Sequence, residues 1–120
     1  MGKFLEGFEG AHKAAEERDA AARRRAERIA EALKQLSDKL AEDREALEGE
    51  KITMRIEHGA LVLRRVLQPM AGVSFDPDSG RFNIHRYSVS EGKNEMEAAD
   101  IEECALRLGE YAYSLKGSVG

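Results

Sequence analysis

Apolar residues in the first part of the chain recur at alternating steps of four and three: Ala22, Ala26, Ile29, Leu33, Leu36 and Leu40, then Leu47 after an interruption at Asp43. This is the period of an amphipathic helix with a heptad-like seam. The run from Ala11 to Glu48 contains no glycine or proline, eleven alanines and one β-branched residue, Ile29. Such a composition has high intrinsic helix propensity, so the pattern predicts one long helix over 11–48. Ser37-Asp38 could cap a second helix, but no glycine or proline there breaks the chain. At 1.5 Å per residue the helix would be roughly 57 Å long, about twice the width of a small domain.

The stripe on this helix has two unequal halves. From Ile29 to Leu47 it offers large aliphatic side chains, suited to a core; upstream it offers alanine, with His12 and Asp19 at seam positions. The second half is therefore expected to pack on its own domain and the first half to project. A parallel in-register dimer on this seam would set Arg18 against Arg23 and Lys39 against Arg44 of the second chain. Both contacts are like-charged and oppose that arrangement. Arg23, Arg24, Arg25 and Arg28 have Asp19, Glu27 and Glu31 at spacings that allow pairs within the helix. Ahead of it, Phe4, Leu5 and Phe8 stand among Gly2, Gly7 and Gly10. They are read either as a terminal turn folded over the core or as an adhesive segment that docks elsewhere.

After Gly49 the period changes to two. Ile52, Met54 and Ile56 alternate with polar residues, His58-Gly59 has the chemistry of a tight turn, and Ala60 to Leu67 forms a second β-rich run. Gln68 to Gly72 reads as a connection. Val73 to Phe75 and Arg81 to Val89 then flank Asp76-Pro77-Asp78-Ser79-Gly80, a loop in which proline presets φ and glycine accepts a positive φ. Residues 51–89 are thus expected to form a four-stranded antiparallel β-meander. A C-terminal helix over 95–116 follows, with Asn94 as N-cap and Glu97 three residues on. Its face of Met96, Ile101, Cys104, Ala105, Leu108, Tyr111, Ala112 and Leu115 should cover the sheet, and Gly109 within it suggests close backbone packing. The expected architecture is α+β: a long N-terminal helix, the meander and a C-terminal helix packed on it, one domain over 1–120.

Charge adds one feature. The chain has a net charge of −4. Residues 51 to 93 carry seven basic and four acidic side chains, whereas both flanking segments are acidic. The candidate nucleic-acid surface is accordingly Arg64, Arg65, Arg81, His85, Arg86 and Tyr87, basic groups beside an aromatic that could stack on bases. No run approaches the roughly 18 apolar residues needed to span a bilayer. The start of the chain lacks the order of a secretion signal, and one cysteine excludes an intramolecular disulfide. A cytoplasmic location is the expectation.

Catalytic and cofactor motifs are missing from the sequence. His12, His58 and His85 have no partner at metal-ligand spacing, and neither CxxC nor HExxH occurs. Nor is there a GxGxxG or GxxxxGK[ST] loop. No metal, cofactor or enzymatic activity is expected, and an unobvious site built from His85, Tyr87 and Cys104 is the residual enzymatic reading. The leading expectation is a non-enzymatic interaction module, a subunit, adaptor or inhibitor, joining a protein partner or a second copy through its N-terminal helix. The candidate partner-binding residues are Phe4, Phe8, Ala15, Ala22 and Ala26. The alternative is nucleic-acid binding by the sheet.

Overall fold

The computed structural model describes residues 2–87 and 94–117. Helix α1 runs from Lys3–Ala41, α2 from Arg44–Gly49, and α3 from Ile101–Gly117; between them lie β1 (Ile52–Glu57), β2 (Ala60–Arg65), β3 (Gln68–Asp76), β4 (Arg81–Arg86) and β5 (Glu95–Ala98). The five strands form one antiparallel sheet in the order β1-β2-β3-β4-β5. The architecture is α+β, as expected, with a fifth strand added to the meander. The molecule measures 77 × 31 × 26 Å, so one dimension far exceeds the other two.

One face of the sheet carries the core. Leu61, Leu63, Ala71, Val73, Phe82, Ile84 and Ala98 are buried there against Leu33, Leu36 and Leu40 of α1 and Cys104, Leu108 and Tyr111 of α3. Alternation along each strand sends the other side chains outward. A single outward row, Arg55, Val62, Gly72, His85 and Glu95, crosses all five strands.

Several elements differ from the sequence-based expectation, each for a definable reason. Helix α1 begins at Lys3 rather than Ala11, so Gly7 and Gly10 lie inside it and no terminal turn folds over the core. Two glycines cost a helix about 2 kcal/mol relative to alanine but do not forbid it. The break between helices falls at Glu42 and Asp43, not at Ser37-Asp38; there the amides of Glu42 and Asp43 bond the carbonyls of Lys39 and Leu40 in tight i to i−3 turns.

The segment 95–98 is a strand rather than the first turn of a helix, which displaces the expected cap from Asn94 to Asp100. Asp100 Oδ1 accepts the Glu103 amide at 2.8 Å, and Glu103 Oε2 reaches back to the Ala99 amide at 3.2 Å. This is the reciprocal logic of a capping box, one step removed. All four residues of β5 pair with β4, Ile84 facing Met96 and Phe82 facing Ala98, so tertiary pairing overrides local helix propensity. Ser88 and Val89, expected in the fourth strand, lie outside the described residues.

The turn between β2 and β3 is the least conventional. Arg65 pairs with Gln68, which leaves Val66-Leu67 as a two-residue loop with Val66 at φ 61°. Positive φ at the first central position belongs to a turn type that favours glycine, and a left-handed L-residue costs about 1–2 kcal/mol. By contrast the β1–β2 turn, His58 at φ 48° and Gly59 at φ 77°, has the residues its geometry wants. Pro69 falls inside β3, beside a register shift where Leu63 faces Ala71 and Arg64 faces Pro69. The extra residue is Met70, and this bulge lets both Met70 and Ala71 serve the buried face.

Gly109 does not mark a close approach: a Cβ there would meet nothing within 4 Å. It instead lines an apolar cavity of about 280 Å³ between α2, β1 and α3, with Leu47, Ile52, Met70, Leu108 and Tyr113.

Candidate interaction arm

The first part of α1 leaves the domain. Its buried residues are Leu33, Leu36 and Leu40, with Ile29 partly covered, whereas residues 3–28 are exposed except at Ala15 and Ala20. The junction is held by side chains. Arg25 Nη1 donates to Asp78 at 2.8 Å, its Nη2 lies 3.9 Å from Asp76, and Arg28 Nη2 donates to the Pro77 carbonyl at 2.7 Å. These arginines thus reach the β3–β4 loop rather than the helix acids at i±4, which corrects the intrahelical reading for Arg25 and Arg28. The loop is itself preorganised: Asp76 accepts the Asp78 amide and the Ser79 hydroxyl, both at 3.0 Å. Those hydrogen bonds, the Asp78 amide foremost, hold the Asp76 carboxyl below its usual pKa.

Beyond Arg25 the arm keeps the orientation of the core stripe. Eighteen residues are five full turns of helix, so Phe4 and Ala22 point the same way as Leu40, Ala15 the same way as Leu33, and Ala11 the same way as Ile29. The face that is buried inside the domain therefore continues, uncovered, for more than twenty residues. At its tip Phe4 is 84% and Phe8 62% exposed. The two rings stack at 6.3 Å, and Phe8 stacks on His12 at 6.5 Å, in an i, i+4 ladder along the arm. His12 Nε2 in turn lies 3.1 Å from Glu16. All five candidate residues, Phe4, Phe8, Ala15, Ala22 and Ala26, thus share one side of the helix. Leu5, 41% exposed, and His12 join them; their spacing was visible in the sequence, but the glycines obscured it.

The candidate nucleic-acid residues are dispersed. Arg64 and Arg81 point outward with His85 and Tyr87, while Arg65 bonds Glu50 at 2.7 Å at the end of α2. Arg86 points inward, its guanidinium 5.9 Å from the Tyr111 ring centre. On the outer face the basic groups meet acids: Arg64 with Glu57 at 2.8 Å, Arg55 with Glu57 at 3.8 Å, Arg81 with Glu97 at 3.5 Å and His85 with Glu95 at 3.6 Å. The hydrogen bond from Arg64 holds the Glu57 carboxyl below its usual range. Strand β5, which the sequence reading assigned to a helix, brings Glu95 and Glu97 onto this sheet. The basic excess counted along the sequence is not an excess on the surface.

Tyr87 lies across Gly72, where a Cβ would sit 3.2 Å from the Tyr87 hydroxyl, and His85 packs edge-on against it at 4.7 Å. A large ring covering a strand glycine is a packing device. Cys104 is buried in the core on the opposite side of the sheet, so His85, Tyr87 and Cys104 do not form a constellation. Burial pushes the Cys104 thiol up to about 12. Among the described residues no group of three or more metal-ligating side chains is assembled, and no helix is long and apolar enough to cross a membrane. No family model, curated protein or solved structure matches the chain.

Proposed function

We propose that this chain is a non-enzymatic protein-protein interaction module of the cytoplasm, a subunit, adaptor or inhibitor of a larger assembly, that binds through the projecting half of α1. The observation that carries this reading is the continuation of the core-facing stripe past the edge of the domain, from Ala26 to Phe4, with two aromatic rings exposed at its end. Most helical stability in proteins comes from packing an amphipathic face rather than from propensity. An arm that presents such a face without a covering layer is built to receive one. A lone buried thiol agrees with a reducing compartment.

A chain beginning at Arg24 tests the reading. It retains every buried residue of the core and should unfold within a few degrees of the full chain. In affinity capture from the native cell it should lose the partners that the full chain retains. Capture of the same partners by both chains would refute the role assigned to the arm.

A further inference from the structure

We infer that the occupant of the bare stripe is the same stripe of a second copy, laid antiparallel so that the two arms cross near Ala15. This inference rests on the arm being the binding surface and specifies its partner. Three observations converge on it. First, the uncovered stripe extends from Phe4 to Ala26, since Ile29 is the next residue along it and already packs on the core. Its midpoint is Ala15, so an antiparallel copy crossing there covers all of it and stops where the domain begins.

Second, bulk and space are distributed to match. The tip is aromatic and the base is alanine, and antiparallel pairing sets Phe8 of one copy against Ala22 of the other and Phe4 against Ala26. Large-on-small layers of this kind interdigitate. A parallel pair would stack ring on ring at one end and leave alanine facing alanine at the other. On the stripe itself Ala11 and Ala15, with Gly7 at its edge, permit close approach of the two backbones.

Third, the polar residues of the seam become complementary. The crossing near Ala15 brings His12 of each copy beside Asp19 of the other, two such contacts per pair. The parallel arrangement instead sets Asp19 on Asp19 and Arg18 against Arg23. Like-charge contacts oppose one orientation and the paired acid and imidazole favour the other. Arg25 and Arg28, near the partner's tip, are already engaged by the β3–β4 loop.

The full chain, of 13.3 kDa, should sediment with twice that mass at tens of micromolar. Phe4→Ala with Phe8→Ala should weaken the dimer by about 100-fold or more, because four rings lose their cover at once. Orientation is read by a spin label on Glu6→Cys, a position on the side away from the stripe; native Cys104 is buried and does not take the label. Labels on an antiparallel pair should stand roughly 35 Å apart, because the axial offset of 18 residues, about 27 Å, combines with the width of about 20–24 Å across two helices. A distance of about 20–24 Å, the width of two helices with no axial offset, would overturn the antiparallel arrangement. A monomer at every concentration would overturn the second copy as occupant, while arm-dependent capture of another protein would leave the arm reading standing. A dimer that persists in the chain beginning at Arg24 would overturn both.

Discussion

Leu36→Ala should lower the unfolding free energy by about 3 kcal/mol, whereas Phe8→Ala, on the exposed arm of the same helix, should change the stability of the monomeric domain by less than about 0.5 kcal/mol. The two residues lie 28 positions apart, four heptads. Leu36 is fully buried among the inward side chains of the sheet and α3, so its truncation loses transfer free energy and leaves a cavity. Phe8 is largely exposed and contacts only its helix neighbours. A domain of this size has an unfolding free energy of only about 5–15 kcal/mol. Loss of Leu36 should therefore lower the melting midpoint by roughly 12 °C. Denaturant titration of both variants below the concentration at which arms pair gives the comparison. Equal losses would mean that the arm belongs to the cooperative fold.

The second large effect concerns Cys104. In the folded protein its thiol titrates near 12 because the surrounding core disfavours the thiolate, with a smaller contribution from Glu103. An unfolded cysteine titrates near 8.5. The thiolate is the reactive form, so at pH 8 the folded protein should react with a disulfide reagent about a thousandfold more slowly than the chain in denaturant, from the thiolate fraction alone. The linkage has a definite sign. The raised pKa means that the folded state holds the proton more tightly, so this contribution is fully present below about pH 8.5 and is lost as pH rises from there toward 12. Between pH 8.5 and 10 the native protein should lose about 2 kcal/mol relative to Cys104→Ala, read by chemical denaturation of the two in parallel. A fast reaction in native buffer would place the thiol at the surface and contradict the packing of α3.

Much of the fold was legible because pattern and burial coincide. The stripe from Ile29 to Leu40 marks the core half of α1, and the alternation at Ile52, Met54 and Ile56 marks β1. The misread elements are those where one interaction overrode another. Val66 sits at a positive φ that sequence rules reserve for glycine, so the β2–β3 turn was hidden within an apparently continuous run. The acidic segment Glu95 to Ala98 resembles the first turn of a helix until β4 is placed beside it. The candidate surface changes with it, because Glu95 and Glu97 lie beside His85 and Arg81 on the sheet rather than on the helix. The arm was legible from Ala11 onward; its aromatic end was not, because Gly7 and Gly10 suggested a break that the flanking turns of helix absorb.

These corrections narrow where association can reside. The sheet's outer face is charge-balanced and its glycine is covered by Tyr87, and the core face is packed under α1 and α3 with the apolar cavity beside α2. The proposed place for association is the arm, attached through Arg25 and Arg28 and otherwise free of the domain. Residue-resolved amide hydrogen exchange across a dilution series tests that division most directly. The account predicts that, in dilute protein, amides from residue 5 to about 24 exchange far faster than those around Leu36, Val73 and Ile84. It also predicts that only the arm gains protection as concentration rises or a partner is added. Arm amides protected as strongly as the core at every concentration would contradict it.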